Sequence, residues 1–277
     1  TITGIKANTV AFKVQNADVK LKANSKGGIN GGSGGSNVAV CALDGANITI
    51  VSGNYTVGAD ANGQGNATIY VAGNGNITIF GGTFSTAAAY NGKYYVLNVE
   101  NSKTGTITVR GNGAKFENFN PLNGDDNLGG NFCASSCGVE MTSGSNGEKI
   151  YTSKLGLYQV LNKDGEPIKV YKVAEKDALL AAIEYGQTVM LLANATANIT
   201  IPEGKDFTLD LNGKTLSGGK NNANATIKNY GTVVIDDSSK EKAGRIIRED
   251  VGNETGTTYY VIHNLGTMTI KNGTIYN

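Results

Sequence analysis

The chain of 277 residues has no tryptophan, three prolines, three cysteines and a single histidine. An odd count of three cysteines does not build the disulfide framework that staples small secreted domains. With His263 as the only histidine, no Ser-His-Asp arrangement can be proposed. No segment approaches the ~18 consecutive apolar residues of a membrane-spanning helix, so no membrane insertion is expected. An excess of one charge is also missing. The 24 basic and 23 acidic residues give a formal net charge of +1. They are spread along the chain without a basic stripe, which argues against a nucleic-acid partner. The chain opens at Thr1 without the basic and apolar regions of a secretory signal, and is expected to be processed or part of something longer.

Glycine and asparagine, by contrast, are abundant, at 39 and 33 residues. Both tolerate left-handed backbone conformations and serve tight turns. With 39% of its residues hydrophobic and regularly patterned, the chain is not a disordered Gly-rich linker.

The pattern is a repeat. Residues 16–21 (NADVKL), 45–50 (GANITI), 74–79 (NGNITI) and 105–109 (GTITV) superpose the pairs Val19/Leu21, Ile48/Ile50, Ile77/Ile79 and Ile107/Val109 at steps of 29, 29 and 30. Between the middle copies the match extends outward, with 51–56 (VSGNYT) over 80–85 (FGGTFS). Each copy alternates apolar and polar residues with period two, between Asn/Gly turns, which predicts short strands. A strand-turn unit recurring every 20–50 residues is the mark of a solenoid. In a parallel β-helix, equivalent residues stack about 4.8 Å apart, so the superposed pairs predict aliphatic ladders. Tyr55 and Phe84 add an aromatic step that Phe116 continues after an insertion at 112–114. Cys41 falls over Phe12 and Tyr70 at the 29-residue step and reads as a core residue.

The pattern dissolves over 120–148 into Asn-Pro, Gly-Asp-Asp and Gly-Gly turns, expected to cap the first coil. A hairpin follows, with 157–161 and 168–171 joined by 162–167. Ala178, Leu179, Ala182 and Ile183 then mark the apolar face of a helix over 174–185, stopped by Gly186. Strands are predicted at 188–192, 197–201 and 207–211. A second solenoid resumes, with 227–235 (IKNYGTVVI) repeated by 262–270 (IHNLGTMTI) at a step of 35. The expected fold is all-β: a right-handed parallel β-helix in two coils with a short capping helix between them. The expected domains are 1–150 and 151–277. Because both termini lie in repeat sequence, the chain reads as a segment of a longer array or as a unit that stacks end to end. The rival is a self-sufficient pair of coils with terminal caps of its own.

Residues 177–192 with 199–216, which include the run LDLNGKTL, resemble the capping helix and first rungs of the pectate-lyase-like β-helix superfamily. The repeats at 229–232 (NYGT) and 77–84 (ITIFGGTF) resemble those of gut-bacterial surface proteins and of phage fibre or tailspike proteins. Residues 116–121 with 131–132 are similar to the module that closes such coils. The resemblance covers most of the chain, and its motifs speak to architecture rather than activity.

Enzymes of that superfamily use clustered carboxylates beside a basic residue. The nearest counterpart here is Asp236 and Asp237 after a strand, with Arg245 and Arg248 downstream and His263 one rung on. At the 35-residue step the aspartates meet Lys271 and Asn272, so the acidic pair is not extended and a solvated turn is expected. His263 aligns with Lys228, an outward position. Asp125 and Asp126 match no cation loop. Cys133 and Cys137 would be free thiols, a local disulfide, or an incomplete metal site; no metal site and no cofactor is expected. Nine Asn-x-Ser/Thr sequons arise mostly from the strand starts themselves, which fits a bacterial or viral origin better than a glycosylated product. The tyrosines remain, with Tyr94, Tyr95, Tyr259 and Tyr260 the candidates for contact with a glycan or partner.

The expected function is therefore a non-enzymatic, structural or adhesive module of an extracellular fibre, on a virion or a bacterial surface. Its partners would be itself and a surface glycan or host receptor. The alternative is a polysaccharide lyase or glycoside hydrolase of the same fold.

Overall fold

A computed structural model describes residues 2–3, 9–24, 27–59, 66–90, 92–101, 103–124, 130–172, 178–185, 187–219, 224–248 and 260–277. Asp125, Asp126, Gly186, Tyr259 and the expected first turn of the helix lie outside the described residues. The chain is a parallel β-solenoid that divides into two compact units, Thr1–Leu155 and Gly156–Asn277.

In the first unit each turn of chain places one strand in each of three sheets. Asp18–Leu21, Asn47–Ile50, Asn76–Ile79 and Thr106–Val109 form one sheet, in the register the repeat predicts. Val19, Ile48, Ile77 and Ile107 pair along one row; Leu21, Ile50, Ile79 and Val109 pair along the next. A second sheet holds Val10–Gln15, Val38–Leu43, Ala67–Val71 and Leu97–Val99. The third carries Ile2–Thr3, Gly28–Asn30, Asn54–Val57, Thr83–Thr86 and Lys115–Glu117. Burial of each ladder side chain contributes about 1.5–3 kcal/mol.

The corner between the first and third sheets depends on glycine. Gly53 and Gly82 have φ of 127° and 116°, a region that side chains with a Cβ rarely adopt. Just past them Tyr55, Phe84 and Phe116 stack inside the coil, each centroid 5.1 Å from the next. Parallel stacking stops at the hairpin of Cys137–Ser143 and Lys149–Leu155, whose second strand pairs antiparallel with Lys115–Glu117 and sets Tyr151 opposite Phe116. Phe119 and Phe132, both buried, continue the aromatic column under this cap.

Polar ladders run alongside. On the outside, Asn47 donates to Asp18 (2.8 Å), Asn76 to Asn47 (3.3 Å) and the Thr106 hydroxyl to Asn76 (2.7 Å).

One expectation is corrected. Cys41 pairs with Lys13 and Tyr70, whereas Phe12 pairs with Val40. The step between those strands is 28, because the turn at 44–46 is one residue longer than the turn at 16–17. Cys41 is buried, but in a small cluster with Val38 and Ala67, against Tyr70 and Tyr95. The strand Leu97–Val99 is short, and ahead of it Tyr90 and Lys93 form an antiparallel bridge.

In the second unit Tyr158–Leu161 pairs antiparallel with both Pro167–Tyr171 and Thr188–Leu191. The helix Ala178–Tyr185 buries Ala178, Leu179, Ala182 and Ile183 in the same core as these strands. Parallel rows then begin: Val189, Leu209, Ile235 and Ile270 in one sheet, and Ala195, Leu216, Ile246 and Ile275 in another. The third sheet aligns Ile199, Ile227 and Ile262.

Candidate functional site

The sequence directs attention to Asp236 and Asp237, and the structure adds Asp210, which pairs with Asp236 in register. All three lie where a strand leaves its sheet for a corner. Asp237 is fully buried. Its Oδ1 accepts the backbone N–H groups of Gly213 (2.8 Å) and Ser239 (3.1 Å), and its Oδ2 accepts that of Gly244. Burial pushes its pKa up, but the Ser239 hydroxyl and these amides outweigh that and hold the carboxyl below the usual range. Asp236 accepts from Asn272 Nδ2 (2.7 Å) and the Asp237 N–H (2.8 Å). The Asn272 bond, with lesser help from the Asp237 amide, Lys271 and Lys242, holds its carboxyl low against a partial burial.

Asp210 is shifted the other way. Burial pushes it up, opposed by its bonds with Ser238 and Asn212 and reinforced by the Asp237 charge. Its Oδ1 accepts the N–H groups of Asn212 (2.9 Å) and Ser238 (2.8 Å). These carboxylates fasten the corners 212–213, 238–239 and 244. Asp210 and Asp237 thus act as turn clamps through backbone amides, while Asp236 takes both of its bonds on Oδ1. The Arg248 guanidinium donates to the carbonyls of Asn224 (3.1 Å) and Tyr260 (3.5 Å), and Arg245 pairs along its strand with Thr215 and Thr274. Among the described residues no three His, Cys, Asp or Glu side chains gather to hold a metal ion.

His263 lies beside Lys228 on the outer side of its sheet, as the repeat predicts. Its ring is 5.2 Å from that of Tyr260, and Lys228 Nζ sits 5.1 Å over the Tyr230 ring. Tyr230 and Tyr260 are both exposed. In the first unit Tyr95 packs on the Cys41 cluster and lies 6.3 Å from the Tyr90 ring, while Tyr94 is half-buried against the main core. The structure thus brings exposed Tyr260 beside half-buried His263, and gives Tyr94 and Tyr95 packing roles.

The repeat sequence noted at the C-terminus forms the rung of Ile262–Asn264, Thr267–Ile270 and Thr274–Tyr276. Each of its strands is the last of its sheet. Ile270 and Ile275 sit in the inward rows of Ile235 and Ile246, yet are 50% and 39% exposed where those partners are 1% and 0%. In the first unit, Ile2, Val10 and Asp18 likewise begin strands at sheet edges, and Ile2 is exposed over a buried Ile29. The signal was present in the sequence: 267–270 and 274–276 repeat the spacing of Asn76–Ile79 and Thr83–Thr86, strands that stack on their neighbours.

Comparison with protein-family models, with curated proteins and with solved structures gives no match to this chain.

Proposed function

We propose that the chain is a non-enzymatic structural module that assembles end to end with copies of itself. The register of the repeat carries this reading: in both units equivalent residues stack turn on turn in parallel rows, so that one rung is the template for the next. Among the described residues the rung at 262–276 has three parallel strand edges and an exposed aliphatic row. The occupant that fits is the rung of Ile2–Thr3, Val10–Gln15 and Asp18–Leu21 of a second copy. Among the described residues that rung also leaves three parallel edges unpaired, with half-buried Phe12, Val19 and Leu21 toward the coil interior. Strands of the same spacing already stack on one another within the first unit.

The setting proposed is extracellular, in a phage fibre or a bacterial surface protein. A near-neutral chain rich in turns, with repeats resembling those of such proteins, supports it. A lyase or hydrolase would need Asp236 or Asp237 to present a free oxygen to a sugar. The saturation of Asp237 by backbone amides leaves Asp236 without a second free carboxylate to share acid/base work, which favours the structural reading. Adhesion to an acidic glycan is a second reading, favoured by exposed Tyr230 and Tyr260 beside half-buried Lys228 and His263.

Negative-stain imaging of the purified chain tests the proposal. Rods longer than one molecule are expected. Single particles of uniform size at every concentration would reject it.

A further inference from the structure

Cys133 and Cys137 serve no part of the stacking reading, and they sit at the cap of the first unit. Phe132–Ala134 lies alongside the last strand of its sheet: Val109 N–H donates to Phe132 O (2.8 Å), Ala134 N–H donates to Val109 O (2.9 Å), and Cys133 bridges Val109. A tight turn follows, closed by Cys137 N–H to Ala134 O (3.0 Å) with Ser136 at φ 63°. Cys137 then opens the capping hairpin, opposite Leu155. The turn brings Cys133 and Cys137 together, four residues apart, and their thiols interact. Cys137 is buried; Cys133 is partly open to solvent.

We propose that Cys133 and Cys137 are an oxidisable pair that closes into a disulfide by exchange with a small-molecule disulfide, stapling the capping loop to the capping hairpin. A disulfide forms without backbone movement only where the two Cβ groups already converge, and here a turn closed by its own backbone bond brings the two cysteines together. Entry is through Cys133, the less buried residue. The Cys133 thiol attacks one sulfur of the reagent, the reagent S–S bond breaks, and the Cys133 proton goes to the half that leaves as a thiol. The Cys137 thiol then attacks the Cys133 sulfur and expels the second half of the reagent, which leaves as a thiol with the Cys137 proton. Two protein thiols are oxidised and one reagent disulfide is reduced to two thiols. The thiol–thiol interaction lowers the pKa of Cys137 and, with burial, raises that of Cys133, which makes Cys137 the better resolving nucleophile. Cys41 is the internal contrast. It is buried without a second thiol, and burial pushes it up to about 11, Lys13 acting against and Glu100 with that shift.

The test is to equilibrate the folded chain with oxidised glutathione, quench in acid, alkylate under denaturing conditions and map peptides by mass. Both thiols fall in the tryptic peptide 116–149. That peptide is expected to lose two hydrogens and escape alkylation, while Cys41 is alkylated in full. Cys137→Ser should stop at one glutathione on Cys133, and Cys133→Ser should leave Cys137 reduced. In the unsubstituted chain, recovery of both cysteines alkylated, of glutathione on each, or of a bridge to Cys41 would overturn the proposal.

Discussion

Tyr55 and Phe84 occupy equivalent places in successive turns of the chain and stack with centroids 5.1 Å apart and ring planes 10° from parallel. Phe84 repeats the relationship with Phe116, at 5.1 Å and 14°. Phe84 therefore has an aromatic face against it on both sides and is fully buried.

Phe84→Ala should cost about 3–5 kcal/mol, the range for emptying an aromatic site in a core that cannot collapse. Phe84→Leu should cost less than half of that. Denaturant unfolding followed by near-ultraviolet circular dichroism of the tyrosines measures both. A loss below about 1 kcal/mol for the alanine variant would mean that the column is not a determinant of stability.

Asp210 and Asp237 should respond in opposite directions to loss of charge. Asp237→Asn keeps one acceptor oxygen for Gly213 and Ser239 but turns an amide donor toward the Gly244 N–H, so destabilisation by about 1–3 kcal/mol is expected. In Asp210→Asn the oxygen still accepts from Asn212 and Ser238, and the cost of a buried charge disappears. That variant should be as stable as the parent or more so at neutral pH.

The pH dependence follows from the same pair. Asp236 and Asp237 have folded pKa values below the unfolded carboxylate value of about 3.9. Their contribution is present above that value and is lost as pH falls through the folded pKa. Asp210 is raised, so its favourable protonation is fully present below about 3.9 and is lost as pH rises through its folded pKa. The advantage of Asp210→Asn should therefore vanish in acid. An advantage that grew on acidification would contradict the assignment.

The aliphatic rows and the aromatic column were readable in the sequence because inward residues of a solenoid recur at fixed steps and their side chains must match. The face of the helix was readable for the analogous reason, through Ala178, Leu179, Ala182 and Ile183. Cys41 is buried and pairs with Tyr70 as expected, but its pairing with Phe12 fails because the step was extended through a turn whose length varies. A slip of one residue reverses every side chain of a strand. The hairpin of Cys137–Ser143 and Lys149–Leu155 left no repeat to recognise, since it pairs antiparallel and occurs once. Asp210 could not be linked to Asp237 before the register between their strands was known. Sequence shows that carboxylates are adjacent, but their exposure depends on where the corner amides point.

Asparagine should matter according to depth. Asn229 is fully buried; it donates to Asn264 Oδ1 (2.7 Å), Gly231 O and Thr267 O (both 3.1 Å), and accepts the Gly231 N–H (3.0 Å). Asn229→Ala strands several of these groups and should cost about 2–4 kcal/mol, whereas exposed Asn47→Ala should cost about 0.5–1 kcal/mol. Parallel urea titrations of the two variants make the comparison, and equal losses would refute the distinction.

The most direct measurement of end-to-end assembly is sedimentation velocity of the purified chain over a wide concentration range, beside Ile270→Lys. The substitution sets a charge in the exposed row above Ile235 without entering the buried core. Open stacking predicts a series of species extending beyond the dimer as concentration rises, and its collapse to the single-chain mass in Ile270→Lys. A parent chain that sediments as one species of single-chain mass throughout, or a variant that assembles as well as the parent, would contradict the account.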